Sequence, residues 1–203
     1  ELAKLIDQVG FPKGVVSIIT GDTENCSIPL TSHPDIDRIA FTGGTETAKK
    51  IIKNSANNFA ATNLELGGKS PLIIFDDADI ESAANGIIAG NFGASGQSCV
   101  AGSRVIVQKN IASELIDLIK KKSQNITIGD PLDPQTNLGP LCTNKQIEII
   151  ENTISNSVSQ GGKVIFGGKK IKREGNYFEP TLICCPNRNI ETLKIEMFGP
   201  VIS

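Results

Sequence analysis

Arg38-Ile39-Ala40-Phe41-Thr42-Gly43-Gly44-Thr45-Glu46 is the stretch that decides the fold. Arg38 to Phe41 has strand character and runs straight into a glycine-bearing turn. The residues after Thr45 place Ile51 and Ile52 near the middle of a helix that ends around Asn54 to Asn58. Strand, tight turn and helix in succession make the repeating unit of a layered α/β protein with a largely parallel sheet.

The same alternation extends in both directions. Upstream, Leu2, Leu5 and Ile6 form a helical stripe that Gly10-Phe11-Pro12 closes, because Gly accepts a left-handed cap and Pro blocks continuation. Val15-Val16-Ser17-Ile18-Ile19, between Gly14 and Gly21, reads as a short buried strand. Downstream, Leu72 to Phe75 is a strand, and Asp76, Asp77 and Asp79 are suited to cap the helix bearing Ile80, Ala84, Ile87 and Ile88. Val105 to Val107 is another strand, followed by a helix carrying Ile111, Leu115, Leu118 and Ile119. A loop rich in Asp-Pro and Gly-Pro pairs spans 130–140. Ile147, Ile150, Ile154 and Val158 then mark a long amphipathic helix that Gly161-Gly162 ends, with Val164 to Phe166 as a strand. The predicted class is α/β with Rossmann-like parallel layers.

Composition narrows the function classes. The 203 residues include 39% hydrophobic and 21% charged positions, a globular balance that excludes coiled coil, collagen-like repeat and bulk disorder. No apolar run approaches the ~20 residues of a membrane-spanning helix, and neither membrane nor nucleic acid is an expected partner. Twenty basic against twenty-two acidic residues leave a net charge of -2, without the basic footprint that nucleic acid needs. Five cysteines, an odd number without CxxC spacing, and a single histidine argue against a disulfide framework and a zinc site, so no metal is expected. No secretory leader is visible, and reduced thiols in a cytoplasmic setting are the expectation. The chain opens at Glu1 inside a helical pattern and stops at Ser203 where a strand is starting, so an internal piece of a longer protein is expected.

Four groups of residues carry chemistry, each with two readings from its residues alone. Gly43 and Gly44 are either an anion-binding helix start or a plain turn. Cys99, within the small and polar run Gly93 to Gly102, is either a nucleophile on a loop held by rigid elements or a small buried hydrophobe. Glu65, in Leu64-Glu65-Leu66, is either a general base in an apolar pocket or an outward residue of an alternating strand. His33, with Asp35 or Asp37 as orienter, is the only histidine a Cys-His hydrolase could use.

Taken in order, Phe41-Thr42-Gly43-Gly44-Thr45-Glu46, Leu64-Glu65-Leu66-Gly67-Gly68-Lys69-Ser70-Pro71, Gly96-Gln97-Ser98-Cys99-Val100-Ala101-Gly102-Ser103-Arg104 and Glu196-Met197-Phe198-Gly199-Pro200 resemble the motifs of the aldehyde dehydrogenase superfamily. The resemblance covers the whole chain, which is less than half of a family member. It implies a partial aldehyde dehydrogenase fold, with residues 1–65 as the later part of an NAD(P)-binding domain and 66–203 as an incomplete catalytic domain. It also implies NAD(P)-dependent oxidation of a small-molecule substrate, an aldehyde, to a carboxylic acid. Cys99 matches the nucleophile that forms thiohemiacetal and thioester, and Glu65 matches the base that activates water. Gly43, Gly44 and Thr45 match the pyrophosphate turn. The Leu66 carbonyl corresponds to a group near the nicotinamide amide, Glu196 matches the ribose-binding residue, and Phe198 the residue packing near the nicotinamide. NAD or NADP is the implied cofactor, and the full-length protein is expected to be a homodimer or homotetramer. Gly44 stands where the family usually has a hydroxyl residue, and Ala48 where it usually has glycine. A CoA-acylating relative is the near alternative, opposed by Glu65, which such members typically lack. A Cys-dependent hydrolase or acyltransferase and a fragment inactive in isolation are the others.

Overall fold

Seven strands and six α-helices follow one another in the computed structural model, which describes residues 1–203. They form two compact units, Glu1–Leu66 and Gly67–Ser203.

The first unit contains α1 (Leu2–Val9), α2 (Ile28–Ser32), β1 (Arg38–Gly43), α3 (Thr45–Ser55) and β2 (Ala61–Leu66). Gly10 ends α1 in the left-handed conformation, as its position in the sequence predicts. Strands β1 and β2 are parallel, with Thr42 beside Glu65 and Gly43 beside Leu66. Their carboxyl ends therefore lie together, and α3 departs from the same edge. Val15 to Ile19 do not form the predicted strand. The sheet of this unit holds only β1 and β2, so 15–19 has no strand neighbour; the Val15 amide donates instead to the Pro12 carbonyl in a turn, at 3.1 Å, and Val15 and Ile19 are exposed. An apolar run becomes a strand only where a ladder partner receives it.

The second unit begins with β3 (Pro71–Ile74) and α4 (Ile80–Phe92), then β4 (Arg104–Val107) and α5 (Ala112–Ser123). It continues with α6 (Asn144–Ser159), β5 (Lys163–Phe166), β6 (Thr181–Cys184) and β7 (Val201–Ile202). Asp79 caps α4 by accepting from the Ser82 amide at 2.6 Å, while Asp76 instead accepts from the Gln108 and Asn110 side chains across the β3–β4 edge. β3 and β4 are parallel, as are β6 and β7, but β5 runs antiparallel to β6. The sheets are largely parallel as predicted, and the one antiparallel pair arises because β6, unmarked in the sequence reading, supplies β5 with a neighbour. The β7 end joins β4: Val105 donates to the Ser203 carbonyl at 2.7 Å, and Ser203 to the Ser103 carbonyl at 3.0 Å.

The core lies in this second unit. One apolar cluster gathers Ala84, Ile87 and Phe92 of α4 with Leu115 and Ile119 of α5. Another gathers Ile147, Ile150 and Ile154 of α6 with Phe178, Ile183, Met197 and Val201. Val158, the last member of the α6 stripe, is 47% exposed because the helix runs past its cover. No helix is long and apolar enough to cross a membrane.

Candidate active site

In the first unit, Gly44 is the N-cap of α3 and supplies no side-chain cap. The Thr45 and Glu46 amides at the helix start have no acceptor in the chain. Open amides at a helix N-terminus suit a phosphate. The two glycines have different causes. A Cβ on Gly43 would lie 2.6 Å from the Phe41 ring, whereas one on Gly44 would meet nothing within 4 Å. Gly43 is thus required by the chain's own packing, and Gly44 borders open space. Ala48 is buried at 2% exposure and fits as alanine. Glu65 lies on β2 one register step from this turn, and its side chain is exposed on an alternating strand. The outward reading of Glu65 describes its setting, and no apolar pocket encloses it within the unit. His33 Nδ1 accepts the Asp35 amide at 3.2 Å, which makes a local turn of the His-Asp pair.

In the second unit, three motif loops converge at the amino ends of parallel strands. Gly67 to Ser70 enters β3, Cys99 to Ser103 enters β4, and Glu196 to Pro200 enters β7. Close backbone packing locks them together. A Cβ on Gly67 would overlap the Glu196 carboxylate, and one on Gly96 would overlap the Gly199 carbonyl. A cavity of about 10 Å³, room for about one water, is lined by Lys69, Ser98, Ser103, Glu196 and Phe198 among others.

Cys99 is exposed and sits in a turn closed by Ala101 donating to the Ser98 carbonyl at 3.1 Å. Its own amide has no acceptor in the chain. An exposed thiol beside a free N–H is what an addition reaction at a carbonyl uses, since the amide can receive the developing oxyanion. The turn is reached through Ala94, Ser95 and Gly96, with φ of 49°, 56° and 71°. Two of these are not glycine, and left-handed backbone there costs about 1–3 kcal/mol each unless the surroundings hold it. Ser95 Oγ donates to the Gly139 carbonyl at 2.9 Å, and the Gln97 side chain accepts from the Cys142 amide at 3.0 Å. These bonds fix the loop on both sides of the strain. Helix α4 ends at this loop, so the amides available to Cys99 are loop amides, not those of a helix start.

Phe198 has a φ of 45° and is 40% exposed between buried Met197 and Gly199. The Gln146 amide group donates to the Met197 carbonyl, and Gly199 packs so closely on Ile150 that a Cβ would overlap it. The ring is held outward by its anchored neighbours. Glu196 Oε1 and Lys69 Nζ are both buried without a hydrogen-bond partner. Burial pulls the Lys69 ammonium down to about 8; Cys185 and Glu196 partly oppose this and Arg104 adds to it. Burial likewise pushes the Cys185 thiol up, against a contact with the Thr192 hydroxyl at 3.4 Å.

Sequence reading had singled out Cys99, Glu196 and Phe198 but not Lys69, Ser95 or Gln97. The lysine stands in a quoted motif, yet only the fold shows that its ammonium is buried. The small-residue run Gly93 to Gly96 was the available signal for the left-handed turn.

Comparison with known proteins identifies the family. The aldehyde dehydrogenase family model matches residues 1–203. The chain is 50% identical to (Z)-2-((N-methylformamido)methylene)-5-hydroxybutyrolactone dehydrogenase of Acinetobacter baylyi, over all of this chain and 42% of that protein. Betaine aldehyde dehydrogenase of Staphylococcus aureus, solved with NAD+, superposes with a TM-score of 0.94 at 36% identity, covering 99% of this chain and 41% of that one. An NADP dependent enzyme of E. coli gives 0.95 at 35% identity, over 99% of this chain and 42% of that one. The chain thus spans about two fifths of the length of the relatives it matches.

Proposed function

The chain belongs to the aldehyde dehydrogenase family, and from that premise we propose that the full-length protein oxidises an aldehyde to a carboxylic acid with NAD or NADP. The observation that carries this reading is Cys99, an exposed thiol with a free backbone amide on a strained, doubly anchored loop. In this reading Cys99 Sγ attacks the aldehyde carbon, a C–S bond forms, and the Cys99 N–H receives the oxyanion of the thiohemiacetal. When bound, the nicotinamide cofactor takes up the hydride that leaves this carbon, and a Cys99 thioester remains. Glu65 accepts a proton from water as its oxygen adds to the thioester. The C–S bond then breaks, releasing the acid and restoring the Cys99 thiolate.

Two features fit a dinucleotide. The open Thr45 and Glu46 amides beside unobstructed Gly44 suit its pyrophosphate, and Glu196, in the motif that matches the family's ribose-binding residue, would take the ribose hydroxyls. Phe198, held outward, would pack near the nicotinamide, and the Leu66 carbonyl would meet its amide. Residues 1–65 are read as the later part of the cofactor domain and 66–203 as the catalytic part. The compact division after Leu66 supports that boundary. We further infer a homodimer or homotetramer of the full-length protein, on family membership. A cytoplasmic location is inferred from five cysteines that are all unpaired.

The test is absorbance at 340 nm with the full-length protein, each nicotinamide cofactor and a panel of aldehydes that includes betaine aldehyde. Reduced cofactor forming only when both aldehyde and cofactor are present supports the reading. Acid release without cofactor reduction would contradict it in favour of a Cys-dependent hydrolase.

A further inference from the structure

Strand β7 stands between β6 and β4. It is parallel to β6 and joined to β4 by two bonds, Val105 N–H to the Ser203 carbonyl and Ser203 N–H to the Ser103 carbonyl. Past Ser203 the space between the same two strands is an open groove of about 650 Å³. Val105 and Val107 of β4 line one wall, Ile183 and Cys185 at and just past the end of β6 line the other, and Leu115 and Ile119 of α5 close one face. Of its cations, Arg188 and Lys194 are exposed, and Arg104 stands beside Ser203 at the end of the groove. The groove is one strand wide, because β4 and β6 each lie one inter-strand spacing, about 4.8 Å, from β7.

The two walls are unfinished ladders. On β4, the Arg104 and Gln108 amides turn to the β3 side, donating to the Ser70 and Ile74 carbonyls. Strand alternation therefore turns Val105 and Val107 toward the groove. There Val105 N–H meets Ser203, but the Val105 carbonyl and the Val107 amide meet no strand. On β6, the Thr181 amide donates to the Pro200 carbonyl on the β7 side at 2.9 Å, and Ile183 and Cys185 alternate to that same side. The Cys185 amide has no acceptor in the chain, and the Ile183 carbonyl receives only the weak Cys185 thiol donor, at 3.8 Å. Unpaired backbone groups on an apolar groove are costly, and such an edge is a template for another strand.

We propose that the groove is the seat of β7's own continuation: in the full-length protein the polypeptide after Ser203 runs on as a short apolar strand between β4 and β6. Register selects this occupant. Extending the existing ladders, the first position after Ser203 donates to the Ile183 carbonyl and accepts from the Cys185 amide. The second donates to the Val105 carbonyl and accepts from the Val107 amide. Two residues thus satisfy all four groups with no change in the direction of β7. The matched relatives, of which this chain covers 42% and 41%, have the further length that this requires. Leu115 and Ile119 call for apolar side chains toward α5, as in a strand of a covered parallel sheet. A strand held on both sides fixes β4 and β7 in register, and with them the Cys99 and Glu196 loops at their amino ends. The inference concerns the frame of the site and holds whatever the substrate.

The experiment is hydrogen exchange of the full-length protein, read at single amides by mass spectrometry, together with thermal unfolding of two variants that place proline at the first or the second position after Ser203. In the wild type the Val107 and Cys185 amides are expected to exchange as slowly as that of Val105, which is already paired. Either proline removes one ladder bond from a strand paired on both sides and is expected to lower the thermal midpoint by roughly 5 °C or more. A drop at only one of the two positions would mark an edge strand and overturn the proposal. Slow exchange with both prolines tolerated would mean that another segment or a bound molecule fills the groove, and would overturn the continuation of β7 as its occupant. Fast exchange at Val107 and Cys185 would leave the groove open and overturn the proposal outright. Should a proline variant fail to fold, the wild-type exchange decides: protected Val107 and Cys185 amides sustain the proposal and open ones overturn it.

Discussion

The two units present their motif residues at opposite ends of their strands. In Glu1–Leu66, Glu65, Leu66, Gly43 and Gly44 gather at the carboxyl ends of parallel β1 and β2. In Gly67–Ser203, the loops of Lys69, Cys99 and Glu196 lie at the amino ends of β3, β4 and β7. The carboxyl edge of an α/β sheet comes with a helix N-terminus, whose free amides suit phosphate without further design. The amino edge has no such helix start. The second unit must therefore make its donors from loop backbone, through the left-handed turn Ala94 to Gly96, and hold that turn with Ser95 and Gln97. The units differ in their interiors as well. The second has two apolar clusters, while the buried residues of the first are Ala48, Ile51 and Ser55 of α3.

The sharpest way to break this contrast is to remove one chemical group from each unit of the full-length protein. C99A should lower turnover by on the order of 10⁴-fold or more, as loss of a covalent nucleophile does. Substantial steady-state activity in C99A would take the reaction away from the amino-edge site. E65Q should slow deacylation by roughly 10²–10⁴-fold yet keep a pre-steady-state burst of reduced cofactor, because in the proposed cycle Glu65 acts on water only after hydride has left and the thioester has formed. Stopped-flow absorbance reads the difference, and loss of the burst would show that Glu65 is needed earlier.

The contrast in packing predicts unequal stability effects. Ile150→Ala, at a fully buried α6 position, should cost about 2–5 kcal/mol in denaturant unfolding. Ile52→Ala, at a half-exposed α3 position, should stay within about 0.5 kcal/mol. Equal effects would mean that the first unit is as well packed as the second. A smaller change is expected from Gly67→Ala. Its Cβ displaces the Glu196 carboxylate and leaves the apolar clusters alone, so NAD affinity should drop with little change in thermal midpoint.

The smallest effect concerns Lys69 and the pH dependence of stability. Its folded value of about 8 lies below its usual 10.5, so between those limits the unfolded chain binds more protons than the native one. Stability should then rise with pH across that window, and K69M should flatten the rise. A wild-type curve that falls between pH 8 and 10.5 as steeply as that of K69M would contradict the burial of the charged group.

Most of the fold was legible in the sequence because α/β proteins write their layers as alternating periodicities. Ile147, Ile150 and Ile154 announce α6, and Gly161 ends it as expected. What escaped reading depends on partners distant in the chain. Val15 to Ile19 has strand composition but no ladder partner. Thr181 to Cys184 becomes β6 through β5 on one side and β7 on the other. The left-handed Ser95 is held by the Gly139 carbonyl, 44 positions away, and Met197, just before left-handed Phe198, is held by Gln146, 51 positions away. At the site, residue types and order pointed to Cys99 and Glu65. The seat that Gly67 makes for Glu196, and the burial of Lys69 beside it, are products of three loops meeting and have no signature in any one of them.

The most direct test of the central reading is mass spectrometry of full-length E65Q quenched after mixing with aldehyde and oxidised cofactor. The expected result is an acyl adduct on the peptide bearing Cys99, formed only when cofactor is present, with the peptides of the other four cysteines unmodified. An adduct on another cysteine, or reduced cofactor accumulating with no adduct on Cys99, would contradict it.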